Sequence, residues 1–174
     1  HQGRPAVVAT VRDITEQHQV EENLRAAYEK RRELEFIIDH SPAIAFLWKE
    51  ESGWPVEYVS DSIRQFGYYP EEFSSGAVCY ADLIHPDDRD RIAQEVTYYS
   101  SEQSREEFQQ EYRIMTRSGE VRWIDDRTWI RRNARGEITH FQGIVLDITA
   151  RKQMEEAVRE SETRYAAIFN TVHD

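Results

Sequence analysis

Apolar and polar positions change period repeatedly along this chain, and each change marks a change of secondary structure. Val20, Leu24, Ala27, Leu34 and Ile38 fall on one helical stripe, broken at Arg31, with glutamates and basic residues on the other faces. The stripe predicts a helix capped by Thr15 and stopped near Ser41-Pro42, since the residue before a proline avoids helical dihedrals. Ala43-Ile-Ala-Phe-Leu-Trp48 then reads as a strand, Ser52-Gly53 as its turn and Val56-Glu-Tyr-Val59 as its partner. Short helical groups come next. Ser60 or Asp61 caps one that runs through Ile63 and Phe66 to Gly67; Pro70–Phe73 and Tyr80–Ile84 give two more. His85-Pro86-Asp87-Asp88 opens a longer helix with Ile92, Val96 and Tyr99 as its stripe, where a first-turn proline and acidic residues both suit the free N–H groups. The last third has a period of two: Phe108, Tyr112 and Ile114 alternate with Gln109, Glu111 and Arg113, and Val121 and Trp123 alternate with Arg122. Strands are predicted over 108–115, 121–131 and 138–148, joined by a tight Thr116–Gly119 turn and a turn ending at Gly136. A hairpin, short helices and a three-strand meander make an α+β domain on a five-stranded antiparallel sheet.

One junction occurs twice. Phe141-Gln-Gly-Ile-Val-Leu-Asp-Ile-Thr149 is an apolar strand passing directly into the charged helix that begins Arg151-Lys-Gln-Met154, and Val11-Arg-Asp-Ile-Thr15 precedes a similar helix. The repeat divides the chain into the tail of a preceding unit (1–15), a linker with the first helix (16–41), one complete domain (42–149) and a linker that begins a further repeat (150–174). Residues 6–14 read as the last strand of the preceding unit. The opening His1 in place of methionine suggests a piece of a longer protein. Asp147, Ile148 and Thr149 are the expected signal junction, Thr149 accepting N–H groups of the helix and Asp147 ending the strand where donors gather.

A net charge of -11, from 33 acidic and 22 basic residues, argues against nucleic acid as a partner. The single cysteine, Cys79, allows no intrachain disulfide and no thiolate metal cluster, and fits a reducing, cytoplasmic setting. No apolar run is long enough to span a bilayer, so no direct membrane contact is expected. The sequence has no glycine-rich phosphate loop, no His-Glu-x-x-His and no nucleophile triad, so no catalytic residue is expected. Asp125 and Asp126 are adjacent but face opposite sides of a strand, which prevents them from working as paired acids. No two histidines have the spacing of a metal site.

Phe66-Gly-Tyr-Tyr-Pro-Glu-Glu-Phe73, Leu83-Ile-His-Pro-Asp-Asp-Arg89, Glu111 to Ile124, Asn133-Ala-Arg-Gly136 and Gly143 to Lys152 occur in order at characteristic spacing. Together they resemble the PAS family, in the branch with a C-terminal PAC segment common in sensor histidine kinases and diguanylate cyclases. The resemblance implies a strand order of 2-1-5-4-3, short helices closing a pocket on the concave face, and linker helices at both ends. The pocket candidates are Phe46, Trp48, Tyr58, Phe66, Tyr68, Trp123, Arg127, Trp129 and Phe141, of which the aromatics are first of all candidates for a filled core. Flavin-binding relatives carry an Asn-Cys-Arg run that Cys79 lacks, and haem-binding relatives place a histidine on the long helix, which here has none. No cofactor is expected. A small metabolite held by Arg127 or Arg113 is the remaining ligand reading, and ion pairing on the outer side of the sheet is the alternative role for these arginines.

Met154, Val158, Ser161, Tyr165, Ile168 and Val172 follow a four-three spacing, a heptad seam interrupted by one serine. The seam fits a parallel homodimer through the linker helices; an amphipathic helix lying on its own sheet is the other reading. The interval from Asp13 to Leu34 is three residues longer than its counterpart from Asp147 to Tyr165, enough to rotate the succeeding unit by about 300°. The sequence therefore points to a sensory or transmitting module next to further PAS, kinase or cyclase domains, with a ligandless structural and dimerisation repeat as the alternative.

Overall fold

The structure is a computed structural model that describes residues 15–102 and 104–171, with side chains over 17–102 and 104–165. The strand predicted over 6–14 lies outside the described residues, as do Val172 and the side chain of Ile168. The chain divides into two units, His1–Ile37 and Ile38–Asp174. What is described of the first belongs to helix α1, Thr15–Asp39. Its stripe residues Val20, Leu24 and Leu34 are exposed. Arg31, which breaks the stripe, donates to Glu35 one turn on at 2.7 Å.

The second unit runs β1 (Ile44–Lys49), β2 (Val56–Val59), a 3-10 helix (Asp61–Phe66), α2 (Pro70–Ser74), α3 (Tyr80–Leu83), α4 (Pro86–Ser101), β3 (Glu107–Met115), β4 (Val121–Arg132), β5 (Ile138–Asp147) and α5 (Thr149–Thr171). The strands form one antiparallel sheet in the order β2-β1-β5-β4-β3. Two local expectations change. The segment after β2 is a 3-10 helix, and Ser60 does not cap it through its side chain. The Ser60 hydroxyl instead accepts from the Ala45 amide at 3.0 Å, which ties this corner to β1. Gly67 ends the helix with a φ of 83°, a conformation that a Cβ would strain. At the start of α4 the His85 ring accepts from the Asp87 amide, so His85 acts as an N-cap before Pro86.

The core lies on one face of the sheet. Ile44, Phe46 and Trp48 of β1, Phe108, Tyr112 and Ile114 of β3, and Phe141 and Val145 of β5 meet Phe66, Phe73, Tyr80, Leu83 and Ile92 from the helices. Burial removes these side chains from water at about 1.5–3 kcal/mol each. Gly143 is the inward residue of β5 between Phe141 and Val145. A Cβ there would stand 2.7 Å from the Trp48 ring and 2.9 Å from the Thr128 hydroxyl.

The inward face of β4 is the reverse of the one expected. Ile124, Asp126 and Thr128 are buried, whereas Trp123, Arg127 and Trp129 point outward. Pairing with β3 fixes this parity, since Tyr112 stands opposite Ile124 and Arg113 opposite Trp123. The Trp123 ring is covered from outside instead, with the Arg113 guanidinium at 5.7 Å and the Lys152 ammonium at 5.2 Å from its centroid.

Candidate functional site

Three elements bring a polar cluster into the otherwise aromatic interior. Tyr112 of β3 donates to Asp126 Oδ2 at 2.7 Å, and Thr128, two residues along β4, donates to Oδ1 at 2.8 Å. Because Tyr112 spends its proton on the carboxylate, the Tyr80 hydroxyl of α3, 2.8 Å away, is the donor to Tyr112. Asp126 is only 5 % exposed, and among the described residues no salt bridge reaches it. Burial raises its carboxyl from 3.8 to about 6, against the lowering effect of the two hydroxyl bonds. Burial likewise pushes the Tyr80 and Tyr112 hydroxyls well above their ordinary range. Asp125, next in the chain, faces the other side and accepts from Gln109 at 2.6 Å. The two carboxylates therefore do not act as a pair.

The cluster forms the floor of a cavity of about 30 Å³. Gln110, which also lines it, is held by Glu95 of α4 at 2.7 Å. The volume admits one or two waters. Small-molecule pockets run to hundreds of cubic ångströms. The Trp48 indole N–H is buried with no acceptor among the described residues. Trp54, Ile84, Val96 and Phe141 separate this cavity from an outer groove of about 620 Å³ between α4 and the β1–β2 turn.

Of the pocket candidates, Trp48 and Phe141 line the inner cavity. Phe46 and Phe66 are buried beside it, Phe46 stacked on Trp48 at 4.8 Å. Tyr68 is half-buried and donates to the Met115 carbonyl. Tyr58 is 45 % exposed, and Trp123, Arg127 and Trp129 lie on the outer face. Arg113 is also outward, forked onto Asp88 at 2.8 and 3.0 Å, and that bond holds the buried Asp88 carboxyl below its ordinary range. Cys79 is half-buried against the Gly53 turn. The residues missed by sequence reasoning are Tyr80, Tyr112, Asp126 and Thr128. The length of the Thr116–Gly119 turn was the available signal, because the hairpin closes with Thr116 N–H on the Glu120 carbonyl and so sets Tyr112 opposite Ile124.

At the other end of β5 the junction is built differently from expectation. Thr149 does not cap α5 with its hydroxyl. That oxygen accepts from the Trp123 amide of β4 at 2.9 Å, and the Ile148 amide donates to the Trp123 carbonyl at 2.8 Å. Asp147 takes the capping role, accepting from the Thr149 amide at 2.8 Å, with Arg122 at 3.4 Å from its other oxygen. Beyond the end of β5 the threonine satisfies a β4 amide that would otherwise lack a partner there, and the aspartate is left to cap the helix. Arg151 and Lys152 both reach Glu111 of β3 at 2.6 Å. Together they hold its carboxyl below the usual range, Lys152 most.

A five-stranded antiparallel sheet with short helices over one face, a polar-floored interior and a helix leaving its last central strand defines a sensor-type α+β module. The PAS fold family matches residues 56–145, and the chain belongs to it. It is a PAS sensory module of the kind that signalling proteins carry. It is 49% identical over 149 residues to a methyl sulfide methyltransferase-associated sensor of Methanosarcina acetivorans, covering 86% of this chain and 15% of that protein. It is 28% identical over 121 residues to the sensor protein FixL of Bradyrhizobium diazoefficiens, covering 70% of this chain and 23% of that one. A sensory box histidine kinase/response regulator structure from Burkholderia thailandensis superposes with a TM-score of 0.59 at 27% identity, covering 77% of this chain and 98% of that one. The chain thus spans less than a quarter of the length of these two sensor proteins. Among the described residues no helix is long and apolar enough to cross a membrane, and no cluster of ligating side chains could hold a metal ion.

Proposed function

We propose that the chain is a sensing and transmitting segment of a longer signalling protein, in which a change in the interior reaches α5 through Asp147, Ile148 and Thr149. The observation that supports this reading is the triple attachment of the first turn of α5. The helix continues β5 covalently, bonds to β4 through Thr149 and Ile148, and is ion-paired to β3 through Glu111. A shift of the central strands cannot leave such a helix behind. Met154, Val158 and Tyr165 are exposed along one seam of α5, which fits pairing with a second copy and output through a kinase or cyclase domain beyond it. In this arrangement 42–149 is the folded module, with 16–41 and 150–174 as its linkers. The sensor and histidine kinase relatives favour a kinase as the output.

Hydrogen exchange tests the relay. Thr149→Val removes the acceptor of the Trp123 amide, and we expect about tenfold faster exchange at Trp123 and in the first turns of α5, with the other sheet amides unchanged. Equal exchange in variant and wild type would refute the relay. A second reading, a ligandless structural repeat, is favoured by the inner cavity of about 30 Å³. It predicts that no small molecule alters α5 at all.

A further inference from the structure

The geometry points to a small organic ammonium ion as the ligand of this interior, its charged head on the Asp126 carboxylate and Trp54 as the gate it passes. The inference rests on the sensing role proposed above and names the ligand class of that same interior. Three observations carry it.

The first is the floor. Asp126 is a buried carboxylate whose partners are neutral hydroxyls, from Tyr112 of β3 and Thr128 of β4, with Tyr80 of α3 behind. Gln110 of β3 presents an amide whose nitrogen is already engaged by Glu95 of α4. Among the described residues no positive side chain lines the inner cavity. A buried carboxylate without a cation is costly, and a cation that brings its own N–H donors removes that cost.

The second is the wall. Trp48, Trp54, Tyr80, Phe108 and Phe141 line the same cavity as the carboxylate, and aromatic rings attract an alkylated ammonium. The third is the route. The outer groove of about 620 Å³ shares Trp54, Ile84, Val96 and Phe141 with the inner cavity, and its rim carries Glu50, Glu51 and Asp90. Arg89, the cation among its described lining residues, spends donors on the carbonyls of Ile84 and Asp82, both at 3.0 Å. The groove lining thus carries three carboxylates against one guanidinium, a net negative charge that attracts cations.

Trp54 sits at the boundary in a strained conformation. Its φ is 49°, the only positive value at a non-glycine among the described residues, and it precedes Pro55, which restricts it further. Strain of this kind costs on the order of 1–3 kcal/mol, which a move of Trp54 out of this conformation would release. An outward swing of its ring would join the cavity to the groove, so the inner cavity alone need not hold the whole ligand.

The test uses the 174-residue chain and three probes of similar size and different charge: ethylammonium, ethanol and acetate. Tryptophan fluorescence and amide chemical shifts report binding. Ethylammonium should saturate the signal at millimolar concentration, shifting amides of β4 around Asp126 and of the Trp54 turn. Ethanol and acetate should bind at least tenfold more weakly. Asp126→Asn should weaken ethylammonium at least tenfold, and Trp54→Ala should speed its association. Acetate binding as well as ethylammonium, an Asp126→Asn variant with wild-type affinity, or no response to any probe would overturn the ligand assignment. Should Asp126→Asn fail to fold, the charge series on the wild-type chain decides by itself. The relay is judged separately, by the exchange measurement on Thr149→Val, which needs no ligand.

Discussion

The two faces of β4 carry similar residue types and do opposite work. Outward, Asp125 bonds to Gln109, Trp123 is roofed by Arg113 and Lys152, and Arg127 is exposed beside Ile144 and Gln109. Inward, one residue along, Asp126 is enclosed with two hydroxyls and its carboxyl is driven up to about 6. The outer carboxylate has water to solvate it; the inner one has only dipoles. Aspartate becomes a group poised near neutrality through enclosure, and residue type alone gives no hint of it.

Changes on the inner face should dominate any attempt to break this contrast. Gly143→Val adds atoms where a Cβ alone would stand 2.7 Å from the Trp48 ring, so a loss of about 4 kcal/mol is expected, read as a fall in denaturation midpoint. A wild-type midpoint in that variant would mean the interior is loose enough to absorb the side chain.

Asp126→Asn comes next. The folded carboxyl titrates near 6 and the unfolded one near 3.8, so the folded state binds the extra proton between these values. Stability from this group is therefore lost as pH rises through that window, by on the order of 3 kcal/mol, and is constant above it. Asp88 slopes the other way: Arg113 lowers its carboxyl, and its contribution is lost as pH falls. Comparing variant with wild type by urea denaturation from about pH 4 to about pH 7 isolates the Asp126 share. A variant with the wild-type slope would show that the inner carboxyl does not titrate there. The smallest effect belongs to Arg127→Ala on the outer face, within about 0.5 kcal/mol. A loss of several times that would reveal a partner seated on this face.

The same contrast explains what could be read from sequence. Strand positions, the hairpin turns and the N-capping His85 follow from local chemistry, because each is decided within a few residues. The order of strands came through the PAS motifs. The parity of β4 went astray because Trp123 looked like core and Ile124 did not stand out, while cross-strand pairing with Tyr112 settled the matter from a distance. The polar floor was hidden for the same reason: Tyr80, Tyr112 and Asp126 are remote in the chain and meet only after the sheet and α3 close. Asp147 and Thr149 were the right residues with their bonds exchanged. Spacing alone does not say which of two hydrogen-bonding side chains turns toward the strand and which toward the helix.

The fastening of α5 to three strands has a mechanical consequence. With 23 residues rising about 1.5 Å each, the helix is roughly 35 Å long. A tilt of about 5° at its bonded base would sweep the far tip through about 3 Å, enough to move a side chain from one packing position toward the next. A sub-ångström slip of β4 against β5 would thus be geared up into a displacement that a neighbouring domain can respond to.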